Sequence, residues 1–445
     1  MTVIFKRKIY DKLIEWKKLD AGRTALLIEG ARRVGKSTIS EEFAKNEYKT
    51  YIKIDFANCN KEIKDLFEDT TDLNRIFLRL QLEYGVNLHQ KESLIIFDEI
   101  QFAPKARQAL KYLVADGRYD YLATGSLISI RQNIQGILIP SEETDIKMYP
   151  MDFEEFLWAM DDFSTMKIAR EYFLRGEALG ESINRKIMDK FRLYMLVGGM
   201  PQAVDSYLST NNLSMVDRVK RSIINLYEKD FNRIDPTGMA SQMFHQIPAQ
   251  LTSNANRYKT WQASNGNSFY SLSEVITEMK ESMVVNLSYH ANDPSAGLAF
   301  HSSPEKFKMF VGDTGLFVTL AFWDKDFTEN IIYKKMLANR LPADLGYMYE
   351  NVVAQILVST GQKLYYYTFP TETGKHNYEI DFLITKGHKI NPIEVKSSGY
   401  KTHASLDNFY KKFSSRIDRE ILLSPKDYED KDGILYLPFY DAYFI

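Results

Sequence analysis

Gly30-Ala31-Arg32-Arg33-Val34-Gly35-Lys36-Ser37 matches the spacing G-x-x-x-x-G-K-[ST]. The stretch follows the apolar run Ala25-Leu26-Leu27-Ile28 and precedes a helical pattern over 39–44. It therefore reads as a strand, a loop and a helix start, and the spacing has a chemical reason. The two glycines let backbone N–H groups converge on phosphate oxygens, the Lys36 ammonium reaches the terminal phosphates, and the Ser37 hydroxyl can ligate Mg2+. Thr38 completes the nucleotide-contacting set. The bare pattern arises by chance in about one chain in a hundred of this length. With a strand before it and a helix after it, an ordinary Gly-rich turn is the poorer reading.

Outward from this loop, short apolar runs alternate with helical patterns, as in a parallel α/β domain. The runs are Tyr51-Ile52-Lys53-Ile54, Leu94-Ile95-Ile96-Phe97 and Tyr121-Leu122-Ala123. The second ends in Asp98-Glu99. Nucleotide hydrolysis needs acids at such a strand end: Asp98 to hold Mg2+, Glu99 to orient and polarise the attacking water. Thr124-Gly125-Ser126 ends the next run and places the Thr124 and Ser126 hydroxyls where a terminal phosphate could be sensed, although a capped turn uses the same residue types. A catalytic arginine is not assignable among Arg32, Arg33, Arg107, Arg131 and Arg233.

The 445 residues leave room for about three domains. A hydrophobic content of 44% with 26% charged residues excludes a disordered, collagen-like or low-complexity chain. The net charge of −2 restricts any nucleic-acid contact to a local patch. A single cysteine, Cys59, cannot form an internal disulfide and points to a reducing compartment. Residues 5–18 place Ile9, Leu13 and Trp16 on one helical face and lack the apolar core of a signal peptide; with no 18-residue apolar run elsewhere, the expectation is a cytoplasmic protein without membrane contact. The pattern changes divide the chain into 1–150, the α/β core; 151–235, helical and interrupted at Gly198-Gly199-Met200-Pro201; 236–338, helices and a short hairpin of winged-helix size; and 339–445, a helix, three strands, a helix and a final strand.

The last segment holds a second cluster. Asp381 lies in the run Glu379-Ile380-Asp381-Phe382-Leu383-Ile384, and Ile393-Glu394-Val395-Lys396 follows. Period two puts Glu394 and Lys396 on one strand face. If the strands pair, Asp381 and Glu394 could share a divalent metal while Lys396 polarises a water, an arrangement suited to phosphodiester cleavage. The fragment Glu-x-Lys alone is not specific, since it recurs at Glu15/Lys17, Glu47/Lys49, Glu62/Lys64, Glu278/Lys280 and Glu429/Lys431. The Glu394 copy differs in its apolar strand, the neighbouring acid and Glu350 upstream on an apolar helix. Salt-bridged strand ends would also account for it.

With these residues quoted, the chain resembles the prokaryotic AAA-type ATP-binding proteins that pair an N-terminal P-loop ATPase with a C-terminal domain of unknown function. The resemblance rests on residues 30–37, Phe97-Asp98-Glu99-Ile100-Gln101, Thr124-Gly125-Ser126, residues 149–156, Val197-Gly198-Gly199-Met200-Pro201, residues 308–316, Glu379-Ile380-Asp381 and Glu394-Val395-Lys396. It implies an α/β AAA core with a helical lid, a winged-helix segment and a C-terminal fold similar to PD-(D/E)XK nucleases. It also implies ATP and Mg2+ contact by Lys36, Ser37, Asp98 and Glu99, and nuclease-type positions at Glu350, Asp381, Glu394 and Lys396 with a second divalent metal. Many relatives carry a Gly-Arg pair after the Thr-Gly-Ser strand, where this chain has Gln135-Gly136-Ile137-Leu138.

The leading expectation is a Mg2+-dependent ATPase whose nucleotide switches the C-terminal half. Its rivals are an ATP-regulated DNA nuclease and a nucleotide-loaded scaffold that binds DNA or a protein partner through its C-terminal half. Glu274, Glu278 and Glu281 against Lys280 argue against DNA contact along the helical pattern over 272–282.

Overall fold

The computed structural model describes residues 3–125, 141–252, 257–259, 269–295, 297–324, 337–338, 346–372, 374 and 376–445. Ser126, Arg131 and Gln135 to Leu138 lie outside the described residues. The chain divides into two compact units, Met1–Pro150 with Glu281–Met283, and Met151–Lys280 with Val284–Ile445.

In the first unit, α1 (Ile9–Leu19) is followed by β1 (Ala25–Glu29), α2 (Lys36–Glu47), β2 (Thr50–Asp55), α3 (Lys61–Asp65), α4 (Leu73–Tyr84), β3 (Ser93–Asp98), α5 (Pro104–Asp116), β4 (Asp120–Gly125) and β5 (Glu143–Lys147). The strands form one parallel sheet in the order β2-β3-β4-β1-β5. β1 and β3 are buried along their whole length, which is why they read as unbroken apolar runs. Ile9, Leu13 and Trp16 form the buried face of α1. Half-buried Cys59 packs against the core that includes Phe56, Phe67 and Phe97. β4 separates the strand before the phosphate loop from the strand bearing Asp98, so three adjacent strand ends carry Gly30, Thr124 and Asp98. In open α/β sheets, ligands bind at these carboxyl ends.

The second unit begins with helices α6 (Phe153–Ala159), α7 (Thr165–Arg175), α8 (Glu181–Val197), α9 (Pro201–Thr210), α10 (Leu213–Ile234), α11 (Met239–His245), α12 (Ile247–Thr252) and α13 (Phe269–Glu281). It continues with β6 (Val285–Ala291), β7 (Ser302–Val311), α14 (Thr314–Ala321), α15 (Tyr347–Ser359), β8 (Tyr365–Pro370), β9 (Asn377–Lys386), β10 (Lys389–Val395), α16 (Ala404–Phe413), β11 (Glu420–Ser424), β12 (Glu429–Lys431) and β13 (Ile434–Pro438). The strands form a mixed sheet, β12-β13-β11-β10-β9-β8-β6-β7. The hairpin β6–β7, which the sequence places in the 236–338 segment, does not stand apart: β6 pairs in parallel with β8 through Tyr289–Tyr365 and His290–Tyr366 and so joins the C-terminal sheet.

Three of the motifs quoted above meet inside this unit. The Gly199 N–H donates to Asp313 Oδ2 at 2.6 Å, Leu316 N–H donates to Asp313 Oδ1 at 2.9 Å, and Met151 N–H donates to Gly199 O at 2.7 Å. The Tyr194 hydroxyl donates to Met151 O at 2.9 Å and accepts from Gln355 Nε2 at 2.9 Å. Asp152 caps α6 reciprocally with Glu155. The segments around Met151, Gly199 and Asp313 thus satisfy one another's buried polar groups and act as packing devices.

Among the described residues, no helix is long and apolar enough to cross a membrane.

Candidate functional site

The phosphate loop is shaped by two close approaches. A Cβ on Gly30 would lie 2.4 Å from Met148 O, so only glycine lets the loop leave β1 beside that backbone. Gly35 has φ 102° immediately before α2, a conformation glycine adopts without strain. Lys36, buried at the helix start, donates from Nζ to Gly30 O at 2.9 Å and Ala31 O at 3.0 Å, so its ammonium lies across the loop. Ala31 and Val34 are buried, Arg32 and Thr38 are half-buried, and Arg33 is exposed with φ 72°.

Ser37 and Asp98, 61 residues apart, are in direct contact: Ser37 Oγ donates to Asp98 Oδ1 at 2.7 Å. Thr124 Oγ1 donates to the same oxygen at 2.5 Å and accepts from the Glu99 N–H at 3.1 Å. The Thr124 hydroxyl therefore holds the Asp98 carboxylate and the Glu99 backbone from the intervening strand. Glu99 sits in the left-handed region, φ 55°, uncommon for a residue with a side chain, and its Oε2 accepts from Gln101 Nε2. Together these contacts hold the backbone turn and the carboxylate of Glu99 in one orientation.

Several residues at this site carry no motif. Arg7 donates from Nη1 to Val34 O at 2.8 Å and from Nη2 to Tyr149 O at 2.7 Å, tying the phosphate loop to the chain after β5. Lys53 lies 3.5 Å from Asp98 Oδ2 and 3.2 Å from Glu41 Oε2. Burial lowers the Lys53 pKa, but the charges of Asp98 and Glu41 outweigh it and leave the ammonium above its ordinary value. The only sequence signal for Lys53 is a cation inside an apolar strand. Of the arginine candidates, Arg107 is buried in a two-point ion pair with Glu143 and joins α5 to β5. Arg233 is exposed, 3.9 Å from Asp230.

These donors suit a hard cation and a polyphosphate. A hydroxyl and a carboxylate share one point, as Mg2+ ligation requires, beside a glycine-shaped loop and a lysine.

In the second unit the four residues of the C-terminal cluster are near neighbours. Asp381 Oδ2 accepts from the Val395 N–H at 2.8 Å, and Lys396 Nζ lies 3.0 Å from Glu394 Oε1. Burial raises the Asp381 pKa well above the ordinary carboxylate value, and the charges of Glu350, Glu379 and Glu394 add to the rise. Glu350 and Glu394 are also raised by burial, opposed by Lys308 and Lys396 respectively. Lys308 and Glu379 belong to the cluster as well: buried Lys308 is ion-paired with Glu379 and lies 3.6 Å from Glu350 Oε2. Among the described residues, no three His, Cys, Asp or Glu side chains converge as a metal-ligand set.

Three family models match parts of the chain: AAA domain over residues 22–157, Domain of unknown function (DUF8612) over 188–326 and Domain of unknown function (DUF4143) over 345–441. An uncharacterised protein of Haemophilus influenzae is 22% identical over 187 residues, covering 40% of this chain and 44% of that one. An uncharacterised protein of Methanocaldococcus jannaschii is 20% identical over 241 residues, covering 52% and 47%. The chain thus spans under half the length of these curated relatives. A Walker-type ATPase of Pyrococcus abyssi is a structural neighbour with 16% identity and a TM-score of 0.42, over 71% of this chain and 96% of that one. The match over 22–157 and the parallel five-stranded sheet give the first unit the fold of an AAA-type P-loop domain.

Proposed function

We propose that the chain is a Mg2+-dependent ATPase whose nucleotide state switches its C-terminal half, which carries the nuclease-like segment. The observation that carries this reading is the hydrogen bond from Ser37 Oγ to Asp98 Oδ1 at 2.7 Å, which joins the phosphate loop to the acid-bearing strand. Ser37 and Asp98 would hold Mg2+, which would supply electrostatic stabilisation of charge on the phosphates. Lys36 exchanges its loop-carbonyl partners for terminal phosphate oxygens. Glu99, fixed by Gln101 and by the Thr124 hydroxyl, orients a water and accepts its proton during attack. Thr124 keeps both acids in register. The catalysis asked of the protein is mainly positioning and electrostatic stabilisation.

Switching requires contacts that differ between nucleotide states. Asp98 supplies them locally: its carboxylate is shared among Ser37, Thr124 and Lys53, and Lys53 in turn reaches Glu41 on α2. Redistribution of these partners when the nucleotide changes would shift α2 against β2 and β3.

The direct test is phosphate release by the purified chain with Mg2+ and ATP. Lys36→Ala is expected to lower turnover by about 10²–10³-fold through loss of a transition-state cation. Turnover unchanged by this substitution would remove the assignment.

A further inference from the structure

On sequence grounds, Asp381 and Glu394 are expected to share a divalent metal, with Glu350 at a further nuclease-type position. The side chains present do not fit such a metal. Lys308 on β7 is 7% exposed, ion-paired with Glu379 on β9 and 3.6 Å from Glu350 on α15, and its charge acts on Asp381 as well. Its ammonium also lies 5.6 Å from the centre of the Tyr366 ring. Period two places Glu379 and Asp381 on the same face of β9. The positive charge of this carboxylate cluster is therefore supplied by the chain itself.

The topology explains how Lys308 gets there. β7 is three steps from β9 in the sheet order, but β6 joins β8 through only two residue pairs. The β6–β7 hairpin brings Lys308 to Glu379 on β9. Asn351 on α15 fixes the hairpin there: its Oδ1 accepts from Val311 N–H at 2.8 Å and its Nδ2 donates to Val311 O at 3.2 Å. One oxygen of each remaining first-choice ligand is engaged, Asp381 Oδ2 with the Val395 N–H and Glu394 Oε1 with Lys396, while Glu394 Oε2 is buried without a hydrogen-bond partner.

We propose that the Lys308 ammonium is a resident cation that takes the place of a divalent metal at Glu350, Glu379 and Asp381, making this carboxylate cluster a metal-independent part of the second unit. A buried ammonium among carboxylates satisfies their charge as a metal would, but it offers no open coordination position to activate a water. The proposal does not depend on the ATPase reading.

The test is Mn2+ uptake by the full chain without nucleotide, measured by electron paramagnetic resonance. Wild type and Asp381→Asn, which keeps the oxygen that accepts from Val395, are expected to take up the same amount. Lys308→Met is expected to gain Mn2+ uptake that the additional Asp381→Asn substitution removes. Uptake by the wild type that Asp381→Asn abolishes would overturn the proposal, as would a folded Lys308→Met protein that gains none. If Lys308→Met does not fold, the comparison of wild type with Asp381→Asn decides alone. A second arm uses supercoiled plasmid with Mg2+ or Mn2+, with and without ATP. Intact plasmid is expected, and cleavage lost on Asp381→Asn would overturn the proposal.

Discussion

Glu99→Gln is expected to lower the proposed ATP turnover by about 10²–10⁴-fold, the range associated with a positioned proton acceptor, with nucleotide affinity expected to stay within a few-fold of wild type. The substitution keeps side-chain size but removes the group that takes the proton from water. The contacts proposed to grip phosphate are elsewhere: Lys36 lies across the loop and Ser37 bonds to Asp98. The Thr124 hydroxyl still receives the backbone N–H of residue 99, so the turn is retained. Phosphate release and binding of a fluorescent ATP analogue, measured on the same preparation, separate the two effects. Turnover within tenfold of wild type would remove Glu99 from the chemistry.

Gly198→Ala produces the second large effect, on folding. Gly198 ends α8 with φ 84°, and an added Cβ would meet Asp313 Oδ1 at 2.4 Å and Gly315 Cα at 2.9 Å. Gly315 presses back, its own Cβ position lying 2.5 Å from Val197 O and 2.6 Å from Gly198 Cα. Two backbones approach too closely for any side chain between them. The cost combines a backbone conformation unsuited to alanine, about 1–3 kcal/mol, with overpacking of about the same size, or roughly 2–6 kcal/mol in all. Thermal unfolding of the variant should show the second unit melting well below its wild-type temperature. An unchanged melting temperature would mean the loops do not interlock.

What the sequence shows and what it hides divide along physical lines. The phosphate loop is contiguous, and its chemistry dictates its spacing, so eight residues suffice to read it. β1 and β3 are buried on both faces and stand out as apolar runs. β5, Glu143-Thr144-Asp145-Ile146-Lys147, is a sheet edge in which every residue but Ile146 is polar, and no apolar run marks it. The acids Asp98 and Glu99 are legible as a strand ending in carboxylates, whereas Arg7 and Lys53 reach the site only through folding and belong to no local pattern.

The second unit is harder for the same reason. The sequence shows a hairpin near Met283 to Tyr289 but not the strand it will join, because β6 meets β8 across more than 70 residues of chain. Lys308 left one signal, a lone cation in Phe307-Lys308-Met309-Phe310-Val311. A charge in so apolar a strand demands a buried partner, but Glu350 and Glu379 are identified only by the fold.

The central claim is that ATP and its magnesium are gripped where Ser37 meets Asp98. Calorimetric titration of the full chain with ATP tests it most directly. The account predicts saturable uptake of one nucleotide per chain in the presence of Mg2+, weakened when the metal is chelated and when Lys36 is replaced by alanine. No heat of binding at millimolar ATP, from folded protein with Mg2+ present, would contradict it.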